Sequence, residues 1–335
     1  MVSVKEVAAH AGVSVGTVSN VLNRPDQVKA ETVERVRAAI DALGYVPNAA
    51  ARQLRAGRSR SLALLVLDVG NPFFTDVARG AEARAAREGM SVFLANSDDS
   101  TEREGLHLDV FEQQRVGGVL ISPAGDDLAR LAQMRAHGIP AVLVDREAGE
   151  SGFSSVAVDD VAGGTLAARH LLETGRRRLA FVGGPLRIRQ VADRFAGASA
   201  AVAQEPAATL RLCGADEMSL DEGKRVGEAL APLIREGRID GIVAANDLLA
   251  IGIQRALLFA DDPVRVPEDV ALVGYDDIAY AASAVVPISS IRQPSALIGA
   301  TAVELVLEAG EGRPARSVVF APELVVRESS ASAPA

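Results

Sequence analysis

Residues 4–23 read Val4-Lys5-Glu6-Val7-Ala8-Ala9-His10-Ala11-Gly12-Val13-Ser14-Val15-Gly16-Thr17-Val18-Ser19-Asn20-Val21-Leu22-Asn23. Two short amphipathic patterns meet at one glycine. Ser3 and Glu6 have the S-x-x-E spacing of a capping box, in which serine and glutamate satisfy each other's backbone amides, so a first helix is predicted from about Val4. Val4, Val7, Ala8 and Ala11 form its apolar stripe, and Gly12 supplies the tight turn. Ser14 can cap a second helix, with Val18, Val21 and Leu22 on its inner face and Val15, Gly16, Ser19 and Asn20 on its outer face. A helix that presents small and polar side chains at its N-terminal end is what a DNA major groove admits. The stretch reads as a helix-turn-helix and predicts an all-α DNA-binding head.

The continuation extends this reading. Pro25 and Asp26 make a turn, and residues 30–43 form a third helix with Val33, Val36, Ile40 and Leu43 on one face and Gly44 as its stop. Asn48 can then cap a short alanine-rich helix, too short to be stable alone in water. The residues V-x-E-V-A-x-x-A-G-V-S-x-x-T-V-S-x-V-L-N, followed by L-G-Y-x-P-N-A-A-A-R-x-L ending at Leu54, closely resemble the LacI/GalR family of bacterial transcription regulators. The resemblance runs to about residue 328. It implies DNA contacts from Ser14, Val15, Gly16, Thr17, Ser19, Asn20 and Asn23. It also implies a hinge helix carrying Asn48 and Ala51, whose Leu54 wedges into the operator minor groove and kinks the duplex.

The chain has 335 residues, 48% of them hydrophobic, enough for two or three domains with sizeable cores. Its net charge of −9 is unevenly spread. Residues 1–60 hold nine Lys and Arg against five Asp and Glu (+4), and the remainder 26 against 39 (−13). A basic reading head on an acidic body suits local phosphate contacts. The lone Cys213 permits no intrachain disulfide and reads as a buried core residue. No basic-plus-apolar leader opens the sequence, and no apolar run reaches the ~18 residues that span a bilayer, so a cytoplasmic protein without a membrane partner is expected.

From Ser61 onward short valine- and leucine-rich runs alternate with helical stretches. The runs are 62–69, 91–95, 118–122, 141–145, 179–183, 209–213, 241–244 and 270–274, and none shows period-2 alternation. Such runs predict strands buried on both faces of parallel sheets. Eight strands in two groups of four give two open parallel-sheet α/β lobes. The resemblance implies the same architecture, a periplasmic-binding-protein-like core that the chain crosses more than once. The expected organisation is a head over 1–46, a hinge over 47–60, an effector-binding and dimerisation core over 61–328 and a disordered tail over 329–335.

Open parallel sheets bind ligands beyond the carboxyl ends of their strands. The polar and aromatic residues expected there include Asp68, Asn71, Phe73 and Phe74; Asn96, Asp98 and Asp99; and Asp145 and Arg146. The second half adds Arg194, Asn246 and Asp247, Asp276 and Asp277, and Gln293. Carboxylates accept from vicinal hydroxyls, Arg and Asn donate to ring and hydroxyl oxygens, and a ring face covers apolar C–H surface: the needs of a small polyol. The effector site is therefore placed at Asn71, Phe73, Phe74, Asp145, Arg146, Arg194, Asn246, Asp276 and Gln293. The resemblance adds weight to Asp145, Arg194, Asn246 and Asp276, and favours a sugar. Asp98, Asp99, Asp247 and Asp277 read equally well as helix caps.

Enzyme signals fail on inspection. Gly12-Val13-Ser14-Val15-Gly16 matches the string of a nucleophile elbow, but that elbow needs a strand before its serine, and residues 4–11 are helical. No phosphate-binding glycine loop follows a strand, and His10, His107, His137 and His170 lack metal-ligand spacing. No catalytic residue, metal or cofactor is expected. The partners are operator DNA, a small effector and a second copy of the chain; the alternatives are a sugar or nucleoside sensor acting without DNA, or a purine-responsive regulator. Three departures from the family pattern stand out: Asn20 where many relatives carry Arg, a helix after Arg194 that reads as truncated, and a tail without a leucine heptad.

Overall fold

The structure is a computed structural model that describes residues 2–45 and 59–331. The hinge segment with Asn48, Ala51 and Leu54 lies outside the described residues, as do residues 332–335. The chain divides after Arg58 into two compact units.

The head contains α1 (Val4–Ala11), α2 (Val15–Asn23), a 3-10 turn (Pro25–Gln27) and α3 (Ala30–Leu43). The capping box is formed: the Ser3 amide donates to Glu6 Oε2 at 2.7 Å and the Glu6 amide to Ser3 Oγ at 3.4 Å. The Ser3 amide, and the Ser3 hydroxyl donating to the same oxygen at 2.8 Å, hold the Glu6 carboxyl below its ordinary range. Val7, Ala8, Ala11, Val18, Val21, Val33, Val36 and Ala39 make a closed core. Val15 packs against that core instead of joining the outer face. The spacing explains this, because 15, 18 and 22 fall at i, i+3 and i+7 on one stripe.

The core unit has two lobes of matching topology. Lobe one contains β1 (Ser61–Val66), α4 (Pro72–Arg87), β2 (Ser91–Asn96), α5 (Thr101–Gln113), β3 (Gly118–Ile121), α6 (Ala129–Ala136), β4 (Ala141–Val144) and β5 (Ser154–Val158). Lobe two contains α7 (Asp160–Glu173), β6 (Arg178–Gly183), α8 (Arg189–Ala203), β7 (Thr209–Gly214), α9 (Leu220–Arg235), β8 (Gly241–Ala244), α10 (Asp247–Leu258), β9 (Ala271–Asp276), α11 (Ala279–Ala282) and β10 (Ser289–Arg292). The chain then returns to lobe one with α12 (Ser295–Gly310) and β11 (Ser317–Phe320), and ends in lobe two with β12 (Glu323–Val325). The sheets run β11-β5-β4-β3-β1-β2 and β12-β10-β9-β8-β6-β7, so β4 and β9 hold the same place in the two.

Each sheet has six strands rather than four. β5 and β10 open with serine pairs that dilute their apolar signal, and β11 and β12 are short and join only after long excursions. The central strands are buried on both faces, but β2 and β7 are not, because each is an edge with one side open. Cys213 on β7 is accordingly only half-buried, and that burial pushes its thiol pKa up.

α7 crosses α8 so closely that a β-carbon on Gly164 would lie 1.9 Å from the Arg194 carbonyl oxygen, and one on Gly197 2.0 Å from that of Val161. Only glycine lets two helix backbones approach like this. α4 with α12, and α9 with α10, meet through glycines in the same way. The tail differs from expectation at its start: Ser329 and Ser330 are fully buried. Ser329 Oγ donates to the Leu272 carbonyl at 2.6 Å and accepts from the Ser289 amide at 2.8 Å, while Ser330 bonds Ser289 and His170. These serines close the backbone groups of β9 and β10, a task that composition alone could not reveal. Among the described residues, no helix is long and apolar enough to cross a membrane.

Candidate functional site

A cleft of about 390 Å³ lies between the lobes at the carboxyl ends of both sheets. β4 delivers Asp145 from lobe one and β9 ends in Asp276 from lobe two. Both aspartates sit at positive φ, +58° for Asp145 and +95° for Asp276, a backbone strain that non-glycine residues adopt only where the surroundings impose it. Both carboxylates are buried.

Bonds across the cleft join the lobes. Asn71, at the N-terminus of α4, accepts the Phe73 amide on its Oδ1 and donates from Nδ2 to Asp276 Oδ2 at 3.0 Å. Gln190 of α8 donates to the Asp145 carbonyl at 2.6 Å and to its Oδ2 at 3.0 Å. Asp145 Oδ1 is buried with no hydrogen-bond partner among the described residues. At the mouth Arg187 pairs with Asp99.

Arg194 forms the floor. It lies within α8, not in a loop, and the helix that looked truncated starts five residues before it. Its Nε donates to Asp160 Oδ1 at 2.7 Å and its Nη1 to the Ala245 carbonyl at 2.7 Å. Asp276 Oδ1 is 3.7 Å away, and the guanidinium lies 3.7 Å over the Tyr275 ring. Burial opposes its charge, but Asp160, Tyr275 and Asp276 outweigh burial and raise its pKa. Burial also pushes Asp145 well above the ordinary carboxylate range; Asp160 and Asp276 add to this and Arg194 opposes it. Asp160 and Asp276 are raised chiefly by the same burial.

Asn71, Phe73, Phe74, Asp145, Arg194, Asn246 and Asp276 thus meet in one cleft. Both phenylalanines line it, as an edge-to-face pair with centroids 5.0 Å apart. Asn246 caps α10 through the Leu249 amide and donates to the Met218 carbonyl. Two expected residues are not in the cleft wall. Gln293 stands behind Asp276, donating to its Oδ1 at 2.8 Å. Arg146 turns away because the Gly125 carbonyl and Asp126 each take one of its amino groups at 2.6 Å.

Two contributors escaped sequence reading. Gln190 carried no signal beyond its place in a polar loop-to-helix stretch. Asp160 is one half of a doublet: Asp159 caps α7 through the Ala162 amide, which frees Asp160 for Arg194. The doublet 246–247 divides likewise, with Asn246 as cap while Asp247 holds Ser290 and the Ile278 amide.

In the head, Ser14 accepts the Thr17 amide at 3.0 Å and its hydroxyl meets that of Thr17 at 2.9 Å. Asn23 donates to the Ser19 carbonyl at 2.8 Å. Gly16 and Asn20 are exposed, and Thr17 and Ser19 half-buried. A β-carbon on Gly16 would make only an ordinary 3.5 Å contact, so the head's own fold does not require glycine there.

Residues 3–48 match the model for bacterial regulatory proteins of the lacI family, and residues 168–330 that for a periplasmic binding protein-like domain. A ribose operon repressor from Halalkalibacterium halodurans is 34% identical over 332 residues, covering 98% of this chain and 97% of its own. The chain belongs to the lacI family. Membership makes it a transcription regulator with a DNA-binding head and an effector-binding core, and not an enzyme. Among solved structures, a lac repressor dimer bound to operator and the anti-inducer ONPF superposes with a TM-score of 0.84 at 26% identity, over 98% of this chain and 99% of that one. A CelR–cellobiose complex superposes with a TM-score of 0.71 at 33% identity, over 98% and 100%.

Proposed function

We propose that this lacI-family regulator is a cytoplasmic, homodimeric repressor whose hold on its operator is set by a sugar bound between the lobes of its core. One observation carries the reading: Asp145 and Asp276, one from each lobe, face a single cleft, and each is bonded to a residue of the opposite lobe. A ligand that takes hydrogen bonds from both lobes favours one lobe arrangement over another, and only such differential binding can drive allostery. A sugar hydroxyl both donates and accepts, which suits carboxylates beside an arginine. The ribose operon repressor and the cellobiose-bound CelR support the choice of ligand class.

The head reads DNA through α2. Gly16 leaves the helix surface open to close approach, and exposed Asn20 can bond an adenine edge bidentately. Pairing uses the sheet edges. Phe93 and Leu94 on β2, Leu106 and Val110 on α5, Leu212 on β7 and Leu220 on α9 are exposed, an apolar surface that a second copy would cover. The lac repressor dimer supports this assembly.

The test is Asp276→Ala. Removing it leaves Asn71, Gln293 and Arg194 without their shared acceptor, at a cost of roughly 1–3 kcal/mol or more in effector binding. The variant should bind operator like the parent in a gel shift yet show no response to the sugar. Parental affinity for the sugar by calorimetry would show that the effector binds elsewhere.

A further inference from the structure

Among the described residues, seven carboxylate side chains line the cleft, and only two cationic ones, Arg187 and Arg194. Neither is available to an anion. Arg187 is paired with Asp99, and Arg194 is held between Asp160 and Asp276. Of the helix N-termini that open on the cleft, those of α4, α9 and α10 are closed by side-chain caps, Asn71, Ser219 and Asn246, and that of α8 is uncapped. A phosphate group binds where uncommitted amides and arginines converge. The cleft offers mostly the reverse: Asp145 lines it, and its Oδ1 is buried with no hydrogen-bond donor among the described residues.

Resting on the sugar reading above, we propose that the cleft accepts its sugar only in the uncharged form and refuses the phosphorylated one. A free hydroxyl completes Asp145, donating to Oδ1 while its own oxygen stays open to a second donor. A phosphate ester at the same place brings negative charge into a cleft that seven carboxylate side chains already line, where juxtaposed like charges are costly. The regulator therefore reports a sugar before any kinase has acted on it. The reaction class that consumes its signal is phosphoryl transfer to the sugar, and transport or glycoside hydrolysis that delivers unphosphorylated sugar supplies it.

The experiment is calorimetry on the full-length protein. Ribose, xylose, glucose, galactose and cellobiose are titrated first, then ribose 5-phosphate, glucose 1-phosphate, glucose 6-phosphate and galactose 1-phosphate. The expected result is a free sugar that binds on the order of 100-fold tighter than its own phosphate ester. Asp145→Asn should narrow that ratio by replacing a carboxylate that can ionise with an amide that cannot, even as it weakens the free sugar. An ester that binds as tightly as its parent sugar, or tighter, overturns the inference while leaving the sugar reading intact, and would point to the N-terminus of α8, which has no side-chain cap. If no compound of either kind binds, the sugar reading itself fails and the inference falls with it.

Discussion

Replacing Gly164 by alanine places a β-carbon 1.9 Å from the Arg194 carbonyl oxygen, inside the closest approach of α7 and α8. An ordinary contact needs ~3.4 Å or more, so the helices must separate by more than an ångström. Interiors packed to crystal-like density resist this, and overpacking typically costs ~1–3 kcal/mol. Against it stands a gain of ~0.5–1 kcal/mol, because alanine is the better helix former. The clash is with rigid backbone, which places the cost near the top of its range, so the strain should win, with a net loss of about 2 kcal/mol. For a unit of this size that lowers Tm by roughly 2–8 °C. Gly105, midway along α5, is the control: a β-carbon there meets nothing within 4 Å. Gly105→Ala should raise Tm by ~1–4 °C from helix propensity alone. Because Arg194 rides on the displaced helix, Gly164→Ala should also weaken sugar binding, whereas Gly105→Ala should not. The assay is thermal unfolding followed by calorimetric titration. If Gly164→Ala melts at or above the parental temperature and binds sugar normally, α7 and α8 are not packed backbone to backbone and the reasoning is wrong.

Asp145 has its pKa raised in the fold, so its favourable contribution is complete below the unfolded carboxylate value near 4 and is lost as pH rises through the folded value. His170, lowered by burial, acts oppositely below about pH 6.5, so the diagnostic quantity is the difference between parent and Asp145→Asn, and in ligand-free melts from pH 5 to 8 the variant should lose less stability as pH rises. Ser329→Ala removes two buried hydrogen bonds and strands the Ser289 amide, which should cost about 1–3 kcal/mol in denaturant unfolding. Asn20→Arg should move one base preference per half-site from adenine toward guanine, by about 1–3 kcal/mol, and a site selection that returns an unchanged consensus would make Asn20 a phosphate contact.

By itself the sequence determined the local and the periodic. The capping box at Ser3, the turn at Gly12 and the inner stripes of α1 to α3 follow from hydrogen bonds and spacings within a few residues, and the head could be read from them. The central strands were legible because burial on both faces writes an unbroken apolar run. The edges were legible only as strands: β2 and β7, with Cys213, read as buried on both faces although each has one side open, and the short late strands β11 and β12 went unread because they join their sheets only after the chain has left them and returned. The polar site shows the same division. Carboxylates at strand ends were visible as a set, but doublets such as 159–160, 246–247 and 276–277 look alike in sequence. Asp159 and Asn246 cap their helices, a role fixed three residues away. Asp160, by contrast, belongs to Arg194, and Asp277 to Arg292 and Arg327. What Asp160 does depends on where Arg194 arrives, and that is set by how closely α8 packs on α7. Gln190 and Arg146 mark the limit. One reaches the cleft and the other is drawn off to Asp126, because side-chain direction is decided by the nearest unsatisfied partner, and only the folded chain brings that partner near.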